Sequence, residues 1–224
     1  MVHQRVESVS IDRVMRDLKK LYHPPKTFLH FRTPLDLLVA TVLSAQCTDV
    51  RVNIVTRTIL YPKYRTARAY VSVTPGELEN DIRSCGFYRT KAKNIQAMCQ
   101  LLVTRFRGKV PETMEELTQL PGVGRKTAAI ILAAAFGKNE GIACDTHVIR
   151  LSQRLGLTRH HDPKSIELDL MRLLPRRQWE IINPLLISHG RAICTARNRK
   201  CGQCVFQKEC PSSLTMGRKD LAKK

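Results

Sequence analysis

Acidic side chains are scarce in this chain. Nineteen Asp and Glu stand against 38 Lys and Arg over 224 residues, a formal charge of +19 with an isoelectric point near 10. A surplus of that size points to a polyanion as partner, nucleic acid first and an anionic membrane second. Long apolar runs are missing too. The longest clear one, Ala128–Phe136, reaches about half of the ~20 residues that a bilayer demands. The N-terminus lacks the hydrophobic region of a signal peptide. A protein without a membrane partner is expected, soluble and cytoplasmic, and nucleoid-associated in a prokaryote. No strand-like alternation, internal repeat or low-complexity segment stands out. Basic residues run along the whole chain rather than gathering in a tail, which suits a folded basic surface better than a charged arm.

What remains is 43% hydrophobic and 25% charged, enough to bury a core in one large domain or two small ones. The pattern reads as helix after helix, an all-α chain. Helices are expected at Ile11–Tyr22, at Leu35–Gln46 after Thr33-Pro34, and at Asp49–Leu60 under Thr48. Another runs from Thr74-Pro75 to Gly86, and a long one capped by Thr90 stops at Gly108. Pro111–Leu120, Arg125–Phe136, Thr146–Leu155, Pro163–Leu173 and Pro184–Ile193 follow. A domain change is expected near Gly137–Gly141, and a loose basic tail at 215–224.

Leu120-Pro121-Gly122-Val123-Gly124-Arg125-Lys126-Thr127-Ala128 is the most informative stretch. Two glycines permit a tight turn and remove side chains that would hold a ligand away. The next helix starts near Arg125, so its free amides and positive dipole end suit a phosphate. Val123 is placed to plug the hairpin into the core. A plain helix–helix connection is the simpler alternative. Lys126 sits in the first helical turn, where the dipole disfavours its charge. Partial burial and basic neighbours would lower its pKa further, and a neutral amine can attack carbon to form a Schiff base. A phosphate contact is the ordinary alternative. Asp145, in Cys144-Asp145-Thr146-His147, is placed as a helix N-cap. Facing Lys126 across a cleft, it could also stabilise positive charge developing on a sugar.

Eight cysteines without a secretion signal argue against a disulfide framework. Cys47, Cys85, Cys99 and Cys144 are scattered and read as small buried hydrophobes, Cys99 on the stripe Ile95, Cys99, Leu102, Phe106. Cys194, Cys201, Cys204 and Cys210 crowd together at x6, x2, x5 spacing among Arg197, Arg199, Lys200 and Lys208. Four thiolates so close are a metal signal, and zinc and a [4Fe–4S] cluster both accept them. The cations between them suit a loop held against a DNA backbone.

LPGVGRKTA at 120–128, CDTHV at 144–148 and this cysteine spacing together resemble the endonuclease III family of base-excision repair enzymes. The resemblance runs from about Thr33 to Cys210 and includes Leu43-Ser44-Ala45-Gln46-Cys47-Thr48-Asp49. It implies one [4Fe–4S] cluster on the four cysteines. It implies two helical domains, a barrel-like six-helix domain over 28–138 and a cluster domain of 1–27 plus 139–214, with a DNA groove between them. Lys126 matches the family's nucleophile and Asp145 its catalytic aspartate. Gln46 matches the residue that fills the gap left by an extruded base. Gly122, Val123, Gly124, Arg125, His147, Arg197, Arg199 and Lys200 would contact DNA. The wedge residue, often leucine, would be Phe87, and an aromatic ring also intercalates.

The implied activity is that of a monomeric DNA glycosylase with apurinic-site lyase activity on double-stranded DNA holding damaged pyrimidines or abasic sites. Related glycosylases for mismatched bases lack a lysine at the Lys126 position, which argues against a monofunctional enzyme. A non-catalytic DNA-binding protein with a structural metal is the other alternative.

Overall fold

A computed structural model describes residues 8–25 and 27–215. All but the first residue of the tail expected at 215–224 lies outside the described residues. Among the described residues the chain is helical throughout, with no strand, and no helix is long and apolar enough to cross a membrane. It divides into two compact units, Thr27–Glu140, and Met1–Lys26 with Gly141–Lys224.

The unit Thr27–Glu140 holds α2 (Pro34–Leu43), α3 (Asp49–Val55), α4 (Tyr61–Lys63), α5 (Ala67–Ser72), α6 (Pro75–Asp81), α7 (Tyr88–Arg105), α8 (Met114–Thr118) and α9 (Arg125–Phe136). Threonine caps set most of the starts. The side chains of Thr33, Thr48, Thr66, Thr74 and Thr113 each accept an amide of the first turn. Thr33 and Asp36 close a full capping box, with Pro34 at the first helical position. Every residue of α2 from Leu35 to Leu43 is buried, so α2 is the axis on which the rest of this core packs.

The other unit contains α1 (Ile11–Leu21), α10 (Thr146–Arg154), α11 (Pro163–Leu173) and α12 (Trp179–Ala192). Val14, Leu18, Val148, Leu151, Ile166, Leu170, Leu185 and Phe206 form its core. Gly190 is required here: a Cβ on it would stand 2.6 Å from His147 Nδ1 and 2.9 Å from an Arg150 nitrogen. Only a glycine lets α12 approach α10 so closely.

Several expected boundaries are corrected. The helix after Thr48 does not run evenly to Leu60: a π-helical turn, Thr56–Leu60, interrupts it before α4. Pro62 explains the interruption, because it lacks an amide and its ring crowds the carbonyl four residues back, so the ladder shifts register. Thr90 does not cap α7; the helix starts at Tyr88 behind Phe87, which takes the left-handed conformation at φ 48°. Pro111 does not open α8, which Thr113 caps instead. Pro184 lies inside α12 rather than at its start. The short α5 had no counterpart in the sequence pattern.

Candidate functional site

The hairpin between α8 and α9 is built by the core beneath it. Val123 is 5% exposed among Leu117, Leu120 and Ala128, and its amide donates to the Leu120 carbonyl at 3.0 Å. Gly122 has φ 77°, and a Cβ there would press on the Asn94 side chain of α7 at 3.2 Å. Gly124 differs: its backbone is extended, it is the N-cap of α9, and a Cβ on it would meet nothing within 4 Å. Gly124, the N-cap, has no side chain with which to cap the first turn of α9, and no acidic residue stands in that turn. Arg125 and Lys126 are both exposed. The partial burial expected for Lys126 is not found, because the second residue of α9 points away from the core that Val123 and Ala128 enter.

Asp145 caps α10. Its Oδ1 accepts the amides of His147 and Val148, each at 2.9 Å, and the side chain is half-buried. His147, also half-buried, lies within 3.1 Å of Arg150, whose guanidinium donates to the carbonyls of Cys194 and Gly190. This arginine ties the start of α10 to the cysteine loop. Arg154 does more: it donates to the Cys194 thiol at 3.3 Å, to the Thr195 carbonyl at 2.7 Å and to the Ala196 carbonyl at 3.1 Å. Both arginines were missed in the sequence, although they fall one and two turns after Asp145 on the helix that it caps.

Cys194, Cys201, Cys204 and Cys210 line one pocket, together with Arg154, Arg199 and the apolar Leu151, Leu155 and Ile193. All four are free thiols. Among the described residues no three or more His, Cys, Asp or Glu side chains close on a single-ion site. The Cys204 thiol lies 3.4 Å from His189 Nε2, and Cys210 donates to the Arg154 carbonyl at 3.1 Å. Burial pushes Cys204 up to about 11 and Cys210 above the ordinary thiol range. A metal must therefore displace protons to bind there, and Arg154 and Arg199 would offset the negative charge of the thiolates. The donor set fits an iron–sulfur group: four soft ligands, a low-dielectric lining and cations beside them. Arg197 and Lys200 are exposed, whereas Arg199 turns inward and donates to the Ser212 carbonyl at 2.9 Å.

Gln46 and Phe87 share an unusual backbone. Both are exposed, Phe87 by 67%, and both lie in the left-handed region, at φ 53° and φ 48°. The remaining cysteines behave as hydrophobes: Cys85, Cys99 and Cys144 are buried and Cys47 half-buried. Burial pushes both Cys99 and Cys144 up to about 12.

Comparison with known proteins gives one consistent answer. Residues 39–176 match the HhH-GPD superfamily of base excision DNA repair proteins. The endonuclease III of Synechocystis sp. is 53% identical over 196 residues, covering 88% of this chain and 89% of its own. That of Bacillus subtilis is 43% identical over 192 residues, covering 85% and 87%. Among solved structures, a trapped endonuclease III–DNA covalent intermediate, an estranged-adenine complex, superposes with a TM-score of 0.85 at 43% identity over 90% of this chain and 94% of that one. A non-covalent endonuclease III–DNA complex gives 0.86 at 42% identity over 95% and 97%.

Proposed function

This chain belongs to the endonuclease III family of HhH-GPD base excision DNA repair proteins, and from that premise we propose how its residues share the work of a DNA glycosylase with apurinic-site lyase activity. Lys126 is the nucleophile. The observation that carries this is an exposed lysine in the first turn of a helix that has no acidic residue in that turn, two residues after a glycine at which even a Cβ would meet nothing within 4 Å.

A damaged pyrimidine leaves the stack at a cost of a few kcal/mol, less for a poorly stacked lesion. The α9 amides and Arg125 hold a flanking phosphate against the dipole. The Lys126 amine attacks C1′ of the deoxyribose, the glycosidic bond breaks, and the base leaves with the bonding electron pair. Asp145 stabilises the cationic sugar on the way; its Oδ1 is committed to the helix cap, so Oδ2 is the oxygen assigned to this role. The bound amine gives up a proton and the C1′–O4′ bond opens, O4′ taking a proton, so that a Schiff base forms between C1′ and Lys126; this acidifies C2′, a C2′ proton is lost, and the 3′ phosphate leaves by β-elimination. Gln46 fills the gap left by the base, and Phe87 wedges the opposite strand. The four cysteines would hold a [4Fe–4S] cluster, whose bonds would tie the 194–210 loop together, and Arg197 and Lys200 on that loop would meet the DNA backbone.

The test is a borohydride trap on an oligonucleotide duplex with a single thymine glycol. Wild type should give a covalent protein–DNA adduct, and Lys126→Ala none. An undiminished adduct in the variant takes the role away from Lys126. Asp145→Asn, which keeps an oxygen for the cap, should slow base release far more than it weakens binding.

A further inference from the structure

Among the described residues of this strongly basic chain, one lysine is buried. Lys91, in the first turns of α7, is 5% exposed. Its ammonium donates to two backbone carbonyls, Leu43 at 2.8 Å and Cys85 at 2.6 Å. Among the described residues no carboxylate pairs with it, and the thiols of Cys47 and Cys85 are its other polar surroundings. Burying a charge is costly unless hydrogen bonds replace its water, and here those bonds go to two separate chain segments. Leu43 is the last residue of α2, whose terminal carbonyls have no helical partner. Cys85 ends the 3-10 turn Arg83–Cys85 before Gly86.

The positions of those two carbonyls matter. Three residues after Leu43 comes Gln46; two residues after Cys85 comes Phe87. Both are exposed and both are held in the left-handed conformation, which costs a non-glycine residue about 1–3 kcal/mol and persists only where the surroundings impose it. One nitrogen therefore joins the roots of two strained, solvent-facing segments.

We propose that Lys91 is a positioning residue for DNA interrogation: its buried ammonium fixes the spacing between the Gln46 and Phe87 segments so that the two side chains enter the duplex as one unit. The proposal rests on the reading of Gln46 and Phe87 as the residues that replace the flipped base and wedge the opposite strand. A shared nitrogen resists the two segments being pushed apart by the stacked bases, and the lysine acts through them without touching substrate.

The experiment is a double-mutant cycle read on two substrates. Lys91→Met keeps the length of the side chain and removes its donors. On a duplex with one thymine glycol, single-turnover base release should fall by about tenfold to a hundredfold, the size expected of ångström-scale misplacement. On a single strand with a preformed abasic site, where nothing must be unpaired, strand cleavage should stay within about twofold of wild type. In a Gln46→Ala/Phe87→Ala background, Lys91→Met should add less than about twofold to the loss on the duplex, because its effect runs through those side chains. An equal loss on both substrates, or an undiminished effect of Lys91→Met in that background, overturns the positioning role and leaves only a core contact. If Gln46→Ala/Phe87→Ala by itself leaves the duplex rate unchanged, the reading of the two probe residues fails, and the proposal with it. Should Lys91→Met not fold, Lys91→Arg enters the same cycle; its guanidinium keeps the charge but cannot keep both short bonds from a single nitrogen.

Discussion

The hairpin at 119–124 and the cysteine loop at 194–213, the two segments proposed to meet DNA, are held in opposite ways. Beneath the hairpin lie Leu117, Leu120, Val123 and Ala128, all buried in the larger core. In the stretch 195–215, Phe206 alone is buried. The loop's shape instead comes from arginines reaching its carbonyls, Arg154 to Thr195 and Ala196 and Arg199 to Ser212, and from thiols pointing into a shared pocket. Hydrophobic burial thus preforms the hairpin. The loop has little apolar area to bury, so it stands to gain most from the group proposed for its cysteines.

The largest test of this difference removes that group. Cys204→Ser, or treatment with a chelator after oxidation, should strip hydrogen-exchange protection from amides in 194–213 until their opening free energy approaches about zero. The amides of Val123 and Ala128 should keep theirs. Equal loss in the two regions would mean that they form one cooperative unit and that the contrast is wrong.

Next in size is the loop's one fully buried apolar side chain among the described residues. Phe206 is fully buried against the T-shaped ring of His189, with ring centroids 5.6 Å apart. Phe206→Ala should cost about 3–5 kcal/mol in denaturant unfolding of the holoprotein. A loss below about 1 kcal/mol would show that the bound group fixes the loop without help from packing.

The two regions also differ in how much of them the sequence discloses. α9 was readable from end to end, because Gly124 and Gly137 bracket an apolar run with the right period. The Asp145 cap was readable for the same local reason. The four cysteines could be grouped by spacing, but what surrounds them could not. Arg154 approaches Cys194 from forty residues away, and Gly190 is needed only because His147 lies opposite it. Pro184 misled as a helix start because its local signal is strong; buried neighbours Ile182, Leu185 and Leu186 hold the helix across it. Lys91 carried no sequence signal at all, since a lysine in a chain with a +19 surplus reads as surface.

Within the hairpin, the glycines separate two requirements. Gly122 needs its φ of 77° and the space beside Asn94. Gly122→Ala should cost about 1–3 kcal/mol, from the left-handed backbone together with the crowding of Asn94. DNA affinity should fall in proportion as the turn distorts. A neutral substitution would mean that α7 yields to the methyl group and that the hairpin is less firmly preformed than its burial implies.

Gly124 needs neither. Its backbone is extended and a methyl group would touch nothing. Gly124→Ala should therefore cost no more than about 1 kcal/mol of stability, the usual difference at an N-cap. The added carbon would nevertheless stand in open space at the start of α9, on the hairpin proposed to hold a phosphate. Binding to an abasic-site duplex, followed by fluorescence anisotropy, should weaken by about tenfold, equivalent to losing one hydrogen bond to a charged group. Raising salt should then weaken the variant less steeply than wild type, by about 0.9 in the log–log slope if a single phosphate contact is lost. Unchanged affinity and slope would place the phosphate elsewhere and leave this glycine as a connector between two helices.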